Sequence, residues 1–381
     1  MKIRIGIRKN LFYPLMVIVY TFIRKIDAII IEKYNDFEES TILTLIMFLS
    51  EFIIGFYFYF YYSKKYTQEN DSQLTRRKLI YNPNEFDIEI PDHFLKIYLL
   101  IIISSFFDFN AFMLQNSYYK IFNRISITLE MRTRSILTIS NSFLCYYILN
   151  LKIYRHQKFS LTIIFTCLLV VIISEFIFEN YIQEESGIKY LGLLSLLVIS
   201  SILDSSVDII EKYLMEVDYV NTFQLLMLEG LFGFIFTLIY SFIENPFKKL
   251  KYVDKPGLFL VCLLIFFITS GGRNIYRLLT NKFYSPMART LTDSFLDPIF
   301  IAYYFFFDDD FRDSNDKRNY YYFFFNLLIS FIIVFFGCVY NELFILFCFG
   351  LEHETYDQIS QRAFLTNPRQ ELPSLSDILD E

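Results

Sequence analysis

Tryptophan is absent from the 381 residues, cysteine occurs only five times and histidine three. Five thiols in so long a chain are too sparse for a disulfide scaffold. Cys145, Cys167, Cys262, Cys338 and Cys348 each sit inside an apolar stretch, and no two have C-x-x-C spacing. They read as small buried hydrophobes. His93, His156 and His353 lie far apart, which leaves a zinc site without ligands. The sequence also has no phosphate loop, no Gly-x-Ser-x-Gly elbow and no His-Glu-x-x-His. An ATP-driven pump or a membrane hydrolase therefore has no catalytic apparatus, no enzyme activity is expected, and no cofactor is implied. The run Asp308-Asp309-Asp310 with Asp313 and Asp316 lacks the glycine and terminal glutamate of an EF-hand loop and reads as a solvated acidic loop. Charged residues are 20 % of the chain, 35 basic against 41 acidic, for a formal net charge of −6. That mildly acidic balance, with no basic block on a known motif, disfavours a nucleic-acid partner.

What is present is apolar and blocked. Hydrophobic residues make up 54 % and aromatics 20 %, with 46 Phe and 30 Tyr. The excess over a soluble domain is modest on average, but it is gathered into long runs. A bilayer core of ~30 Å needs about 20 mostly apolar helical residues per crossing. Ten runs qualify: 11–31, 41–62, 94–115, 125–149 and 159–182, then 190–215, 222–243, 256–279, 285–307 and 320–349. They are too long and too continuous for barrel strands. The expected fold class is an all-α membrane protein in a lipid bilayer. The first run follows a basic start but lacks a cleavage site and leads into Arg24, Lys25 and Asp27, so it reads as a retained helix. Pro286 and Pro298 are positioned to start or break helix nine. The aromatic runs 56–62, 303–307 and 320–325 read as a lipid-facing or interfacial belt.

Counting Lys and Arg in the connections orients the chain. The start (1–10), the loop 63–93 and the loop 150–158 are basic, which predicts that both termini are cytosolic. Lys248, Lys249, Lys251 and Lys255, and Arg312, Lys317 and Arg318, then fall on the outside against the rule. The tail 350–381 is polar and acidic, with the composition of a disordered segment. It contains Tyr356-Asp357-Gln358-Ile359, the form of a tyrosine-based sorting signal that an adaptor would read.

The chain repeats itself. Ile31-Glu32-Lys33-Tyr34 closes helix one and Ile210-Glu211-Lys212-Tyr213 closes helix six, with Asp27 and Asp208 upstream. Met47-Phe48-Leu49-Ser50-Glu51-Phe52 in helix two answers to Met227-Leu228-Glu229-Gly230-Leu231-Phe232 in helix seven. Arg134-Ser135-Ile136-Leu137-Thr138 in helix four answers to Arg289-Thr290-Leu291-Thr292 in helix nine. Three matches in order between helices n and n+5 divide the chain into five-helix repeats at 11–182 and 189–349. An odd number of helices per repeat inverts the second relative to the first, the architecture of alternating-access carriers.

These residues resemble the drug/metabolite transporter superfamily, specifically the F-type, nucleotide-sugar-transporter-like subgroup of solute carrier family 35. Met47–Phe52 resembles the subgroup's M-F-L-G-E-F with Ser50 for glycine, and Glu229-Gly230-Leu231-Phe232-Gly233-Phe234 matches its E-G-L-F-G-F. Asp108, Arg134, Glu211-Lys212, Arg289 with Asp293-Ser294, and Tyr340-Asn341 fall where the subgroup has Asp, Arg, E-K, R-x-x-x-D-S and Y-N. The likeness spans about residues 11–345. Ser135 after Arg134, and the charges Arg273 and Arg277 in helix eight, depart from the pattern. The resemblance implies ten spans and transport of a nucleotide sugar or a similar solute.

An ionised group at mid-membrane costs at least ~2.5–3.5 kcal/mol, so it must face protein or a wet cavity. Asp108, Arg134, Arg273, Arg277, Arg289 and Asp293 are the candidate substrate-binding residues; Glu51, Glu229, Glu211 and Lys212 are candidates for gating or structure. Arg289 and Asp293 are spaced to pair along one helix, and Arg273 and Arg277 repeat that spacing with like charge. Two such cations point to an anionic solute, or to neutralisation by Glu51, Asp108 or Glu229. Ser201 and Ser205, and Gly230 with Gly233, are placed for close helix packing. The function expected is secondary transport of a small polar, anionic organic solute by alternating access, in an endomembrane rather than the plasma membrane. The alternative is a non-transporting scaffold or regulatory protein on the same fold. A homodimer is compatible with either.

Overall fold

The computed structural model describes residues 2–5, 11–35, 41–78, 94–121, 127–149, 153–181, 187–244, 255–307, 317–347, 350–351, 355 and 358. They are nearly all helical. In order they form β1 (Lys2–Ile5), α1 (Phe12–Asn35), α2 (Thr41–Lys78), α3 (Phe94–Ile121), α4 (Ile127–Ile148), α5 (Arg155–Tyr181) and α6 (Gly187–Glu216). There follow α7 (Thr222–Glu244), α8 (Pro256–Phe283), α9 (Pro286–Asp293), α10 (Asp297–Phe307), α11 (Lys317–Tyr340) and β2 (Phe344–Phe347). Among the described residues, six helices contain stretches long and apolar enough to cross a membrane: Thr41–Tyr61, Leu95–Leu114, Arg155–Ser174, Thr222–Ile243, Pro256–Phe283 and Phe323–Tyr340. The other expected runs carry more charge, as at Arg24, Lys25 and Asp27, or are broken, as in helix nine. Large apolar side chains such as Phe143, Tyr147, Phe242, Ile243 and Leu260 stand exposed on these helices, a surface compatible with a multi-pass membrane protein.

Three boundaries differ from expectation. Helix α2 runs on through the polar residues to Lys78 instead of stopping near 62. Helix nine is two helices. Ser285 caps α9, its hydroxyl accepting from Ala288 N–H at 3.0 Å, and Pro286 takes the first turn. The helix then narrows to a 3-10 turn at Ser294–Leu296, where Asp297 N–H bonds the Ser294 carbonyl. Pro298 has no N–H for that carbonyl, so the tighter bond replaces the helical one. Helix ten ends at Tyr340 rather than 349. Glu342 adopts a left-handed φ of 58°, its N–H bonds Val339 O at 3.1 Å, and Leu343 N–H bonds Cys338 O at 2.9 Å. This is a Schellman ending. The chain beyond it forms β2, antiparallel to β1, with Lys2 opposite Phe347 and Ile5 opposite Phe344.

The chain forms two compact units. The first comprises Met1–Ile18, Ser117–Ile209 and Tyr284–Glu381. Its core joins Cys145, Ile164, Val171, Ile209, Met287, Leu291, Ile329, Ile333 and Tyr340. Here α4 meets α9 where Thr138 Oγ1 donates to Thr290 Oγ1 at 3.1 Å and Asn141 Nδ2 donates to the Pro286 carbonyl at 3.4 Å. Helix α5 meets α11 where Phe159 packs edge-on against Phe336 and His156 Nε2 lies 3.3 Å from Glu342 Oε1. In both pairs residue numbers rise on one helix as they fall on the other, so the helices are antiparallel.

The second unit comprises Val19–Asn116 and Ile210–Phe283. Its two apolar clusters gather around Met47, Phe48 and Phe266, and around Ile101, Leu225, Leu226 and Leu278. Its axis is the α2–α7 pair, in backbone contact. A Cβ on Gly55 would lie 2.7 Å from Met227 N and 2.9 Å from Met227 Cα. One on Gly230 would meet Phe52 N and lie 2.8 Å from Glu51 Cβ, and one on Gly233 would meet the Phe48 ring. These contacts again run antiparallel. With Glu51 aligned to Glu229, Gly55 aligns with Gly233 and Phe48 with Leu226, and the Gly55–Leu226 and Gly233–Phe48 contacts answer each other. Free thiols at Cys145, Cys262 and Cys338 are buried and Cys167 is partly so, as small hydrophobes would be.

Candidate functional site

In the second unit the polar groups follow the α2–α7 axis. Glu51 projects from α2 and is 1 % exposed; Glu229 projects from α7 and is 4 % exposed. Asn274 Nδ2 of α8 donates to Glu51 Oε1. Ser104 Oγ of α3 donates to Glu229 Oε1 at 2.7 Å. Each glutamate thus takes a neutral donor from the helix that follows its counterpart in the other expected repeat. The aromatic contacts Phe106–Phe236 and Phe109–Tyr240 carry α3 onward along α7.

The arginines of α8 separate into two roles. Arg277 is 3 % exposed, and its Nη2 donates to Glu211 Oε1 at 2.7 Å. Glu211, fully buried on α6, also receives Asn281 Nδ2 at 3.1 Å. Next to it Lys212 Nζ donates to the carbonyls of Asn281 and Lys282 at 3.0 Å and reaches Glu216 at 2.5 Å. Lys212 so satisfies the open carbonyls near the C-terminal end of α8. Arg273, one turn back, is only partly buried. Its Nε donates to Thr21 Oγ1 of α1 at 3.0 Å and its Nη1 to Asn274 Oδ1 at 3.2 Å. Tyr276 stacks on Tyr20 at 5.9 Å between ring centroids. Asp108, partly buried on α3, lies near enough to act electrostatically on Glu51 and Glu229.

The first unit holds a second buried network. Arg289 Nη1 of α9 pairs with Asp208 Oδ1 and lies 3.5 Å from Asp204 Oδ1, both on α6. Asn141 Nδ2 of α4 donates to Asp208 Oδ2 at 2.9 Å. Ser205 Oγ adds a bond to the Leu137 carbonyl at 3.4 Å. Arg289 thus forms ion pairs across to α6, and Asp293, one turn along α9, is buried near the end of that helix.

The candidates from the sequence divide accordingly. Glu51, Glu229, Glu211, Lys212, Asp108, Arg273 and Arg277 belong to the second unit, and Arg289 and Asp293 to the first. Arg134 lies within α4, and its side chain is outside the described residues. Tyr356 and Ile359 of the sorting-signal form, the acidic run 308–316 and Lys248, Lys249 and Lys251 are also outside them. Sequence reasoning passed over Thr21, Ser104, Asn141, Asp204, Asn274 and Asn281. Five of these are neutral and carry no charge penalty that would mark them in an apolar run. Among the described residues no group of three or more metal-ligating side chains comes together. No family model matches the chain, and no curated protein matches it.

Proposed function

We propose that this chain is a secondary carrier of the drug/metabolite transporter type, similar to the F-type members of solute carrier family 35. It moves a polar, anionic organic solute by alternating access and performs no covalent chemistry on it. The observation that carries the reading is the paired arrangement on the α2–α7 axis, Glu51 with Asn274 and Glu229 with Ser104. It is what two inverted copies of one helical unit produce, and it places polar groups inside apolar helices. The antiparallel pairs α2–α7, α4–α9 and α5–α11 support the same repeat, since each joins a helix to its expected counterpart five segments on. The pairing of β1, which precedes α1, with β2, which follows α11, accords with an even number of crossings and both termini cytosolic. An endomembrane location rests on the Tyr356–Ile359 sequence alone.

In this reading Arg273 is the anion-contacting residue, because it is only partly buried, where Arg277 one turn on is withdrawn from solvent against Glu211. Arg277, committed to Glu211, holds α8 to α6. The test is thermal stability of the purified chain across a panel of polar metabolites, followed by flux of any stabilising solute in proteoliposomes. Saturable uptake that Arg273→Ala or Asp108→Ala abolishes, with folding intact, is the expected result. A panel that stabilises nothing favours the non-transporting scaffold.

A further inference from the structure

Asp27 of α1 is a buried carboxylate that the carrier reading leaves unused. It is 5 % exposed, its Oδ2 receives no hydrogen bond, and among the described residues it forms no ion pair. Asp208, the other aspartate upstream of a Glu-Lys-Tyr triplet, is served differently: Arg289 Nη1 and Asn141 Nδ2 both donate to it. A carboxylate withdrawn from water without a counterion is costly, and an ion from outside the chain can offset that cost. The surroundings of Asp27 belong to the second unit. Arg24, three residues earlier on α1, donates to Met47 Sδ of α2 at 3.9 Å. Nearer the connection, Ile31 of α1 and Ile42 of α2 share the apolar cluster that holds Met47. The two helices therefore run antiparallel, and the register that sets Arg24 against Met47 sets Thr44 level with Asp27. Thr44 is fully buried. Whatever its hydroxyl donates to, the oxygen keeps lone pairs that can accept. Cys262 of α8, also buried, is within electrostatic reach of the same carboxylate. Helix α1 ends at Asn35, about 12 Å beyond Asp27 at the helical rise, so the carboxylate lies about two turns from that end.

We propose that Asp27 and Thr44 hold a monovalent alkali cation between α1 and α2. One carboxylate carries one charge, so a univalent ion neutralises it. A divalent ion would call for further carboxylates, and no group of three or more metal-ligating side chains forms among the described residues. The Cys262 thiol is a soft donor and contributes nothing to an alkali ion, while carboxylate and hydroxyl oxygens are the hard donors such an ion takes. The bound ion turns an unsatisfied charge into a tie between two helices. The proposal stands whether or not the chain transports a solute.

Thermal unfolding of the purified full chain in detergent, followed by circular dichroism, is compared in sodium, potassium and choline chloride at equal ionic strength. The wild type should unfold at a higher temperature in sodium or potassium than in choline, with a rise that saturates. Asp27→Asn keeps the size of the side chain without its charge and should unfold at one temperature in all three salts. Thr44→Val should raise the half-saturating concentration roughly tenfold, the worth of one lost contact to a charge. Equilibrium binding of radioactive sodium, or of rubidium where potassium is the stabilising salt, should give one ion per wild-type chain and none for Asp27→Asn. Size-exclusion elution checks folding, and if Asp27→Asn does not fold, an unchanged half-saturation in Thr44→Val overturns the proposal. Equal wild-type stability in the three salts with no ion bound also overturns it, and stability that then followed pH alone would make a proton the occupant. A cation effect kept in Asp27→Asn overturns it as well, because the ion then sits elsewhere.

Discussion

Replacing Arg277 by leucine should be one of the most damaging single changes in the second unit, and replacing its partner as well should undo most of the damage. Arg277 and Glu211 are joined at 2.7 Å with both side chains almost wholly withdrawn from solvent. Removing the guanidinium leaves Glu211 with the Asn281 amide at 3.1 Å and Lys212 as an immediate neighbour already turned to backbone carbonyls. Breaking a buried pair by deleting one member costs about 3–5 kcal/mol, because a charge stays buried without its counterion. Glu211→Leu alone leaves the opposite charge and should cost a similar amount. The double variant Glu211→Leu/Arg277→Leu buries no uncompensated charge and should lie within ~1 kcal/mol of the wild type. Denaturant unfolding of the four proteins in mixed micelles, followed by circular dichroism, gives a double-mutant cycle with an expected coupling of roughly 3 kcal/mol or more. A coupling near zero would sink the reasoning, because the two groups would then not be neutralising each other and Arg277 would be available to a solute. The carrier assay gives a second reading: flux should survive in the double variant and vanish in Arg273→Leu.

Gly230→Ala should destabilise by about 1–2 kcal/mol net, since its new methyl meets the α2 backbone and overpacking (roughly 1–3 kcal/mol) outweighs the helix-propensity gain of about 1 kcal/mol. Gly192→Ala on α6, with open space around it, should be neutral or stabilising in the same unfolding assay; equal responses would mean that α2 and α7 do not touch at the backbone. Tyr219 is 86 % exposed and holds a left-handed φ of 51°, so Tyr219→Gly should raise stability by roughly 1 kcal/mol, and a loss instead would mean the ring has packing of its own.

The sequence alone determined that the chain is built of long apolar helices, because blocks of about 20 apolar residues have few other ways to satisfy their backbone. It also suggested a correspondence of helices, through Met47–Phe52 against Met227–Phe232, and marked which charges would be costly in an apolar run. The break in helix nine was legible at Pro298, since a missing N–H is a property of the residue itself. The end of helix ten was not. Phe344–Phe347 is as apolar as the helix before it, and only pairing with Lys2–Ile5, more than 300 residues away, makes it a strand. Ion partners were decided at the same level. Arg277 meets Glu211 across 66 positions, and Arg289 meets Asp208 across 81, because helix packing brings those turns together. Sequence spacing ranks only neighbours on one helix, so the partners of Arg289 on α6 were not legible in it. Asn274 and Ser104 stayed silent for a related reason. A neutral side chain in an apolar run becomes significant only when folding places a buried carboxylate within hydrogen-bond reach.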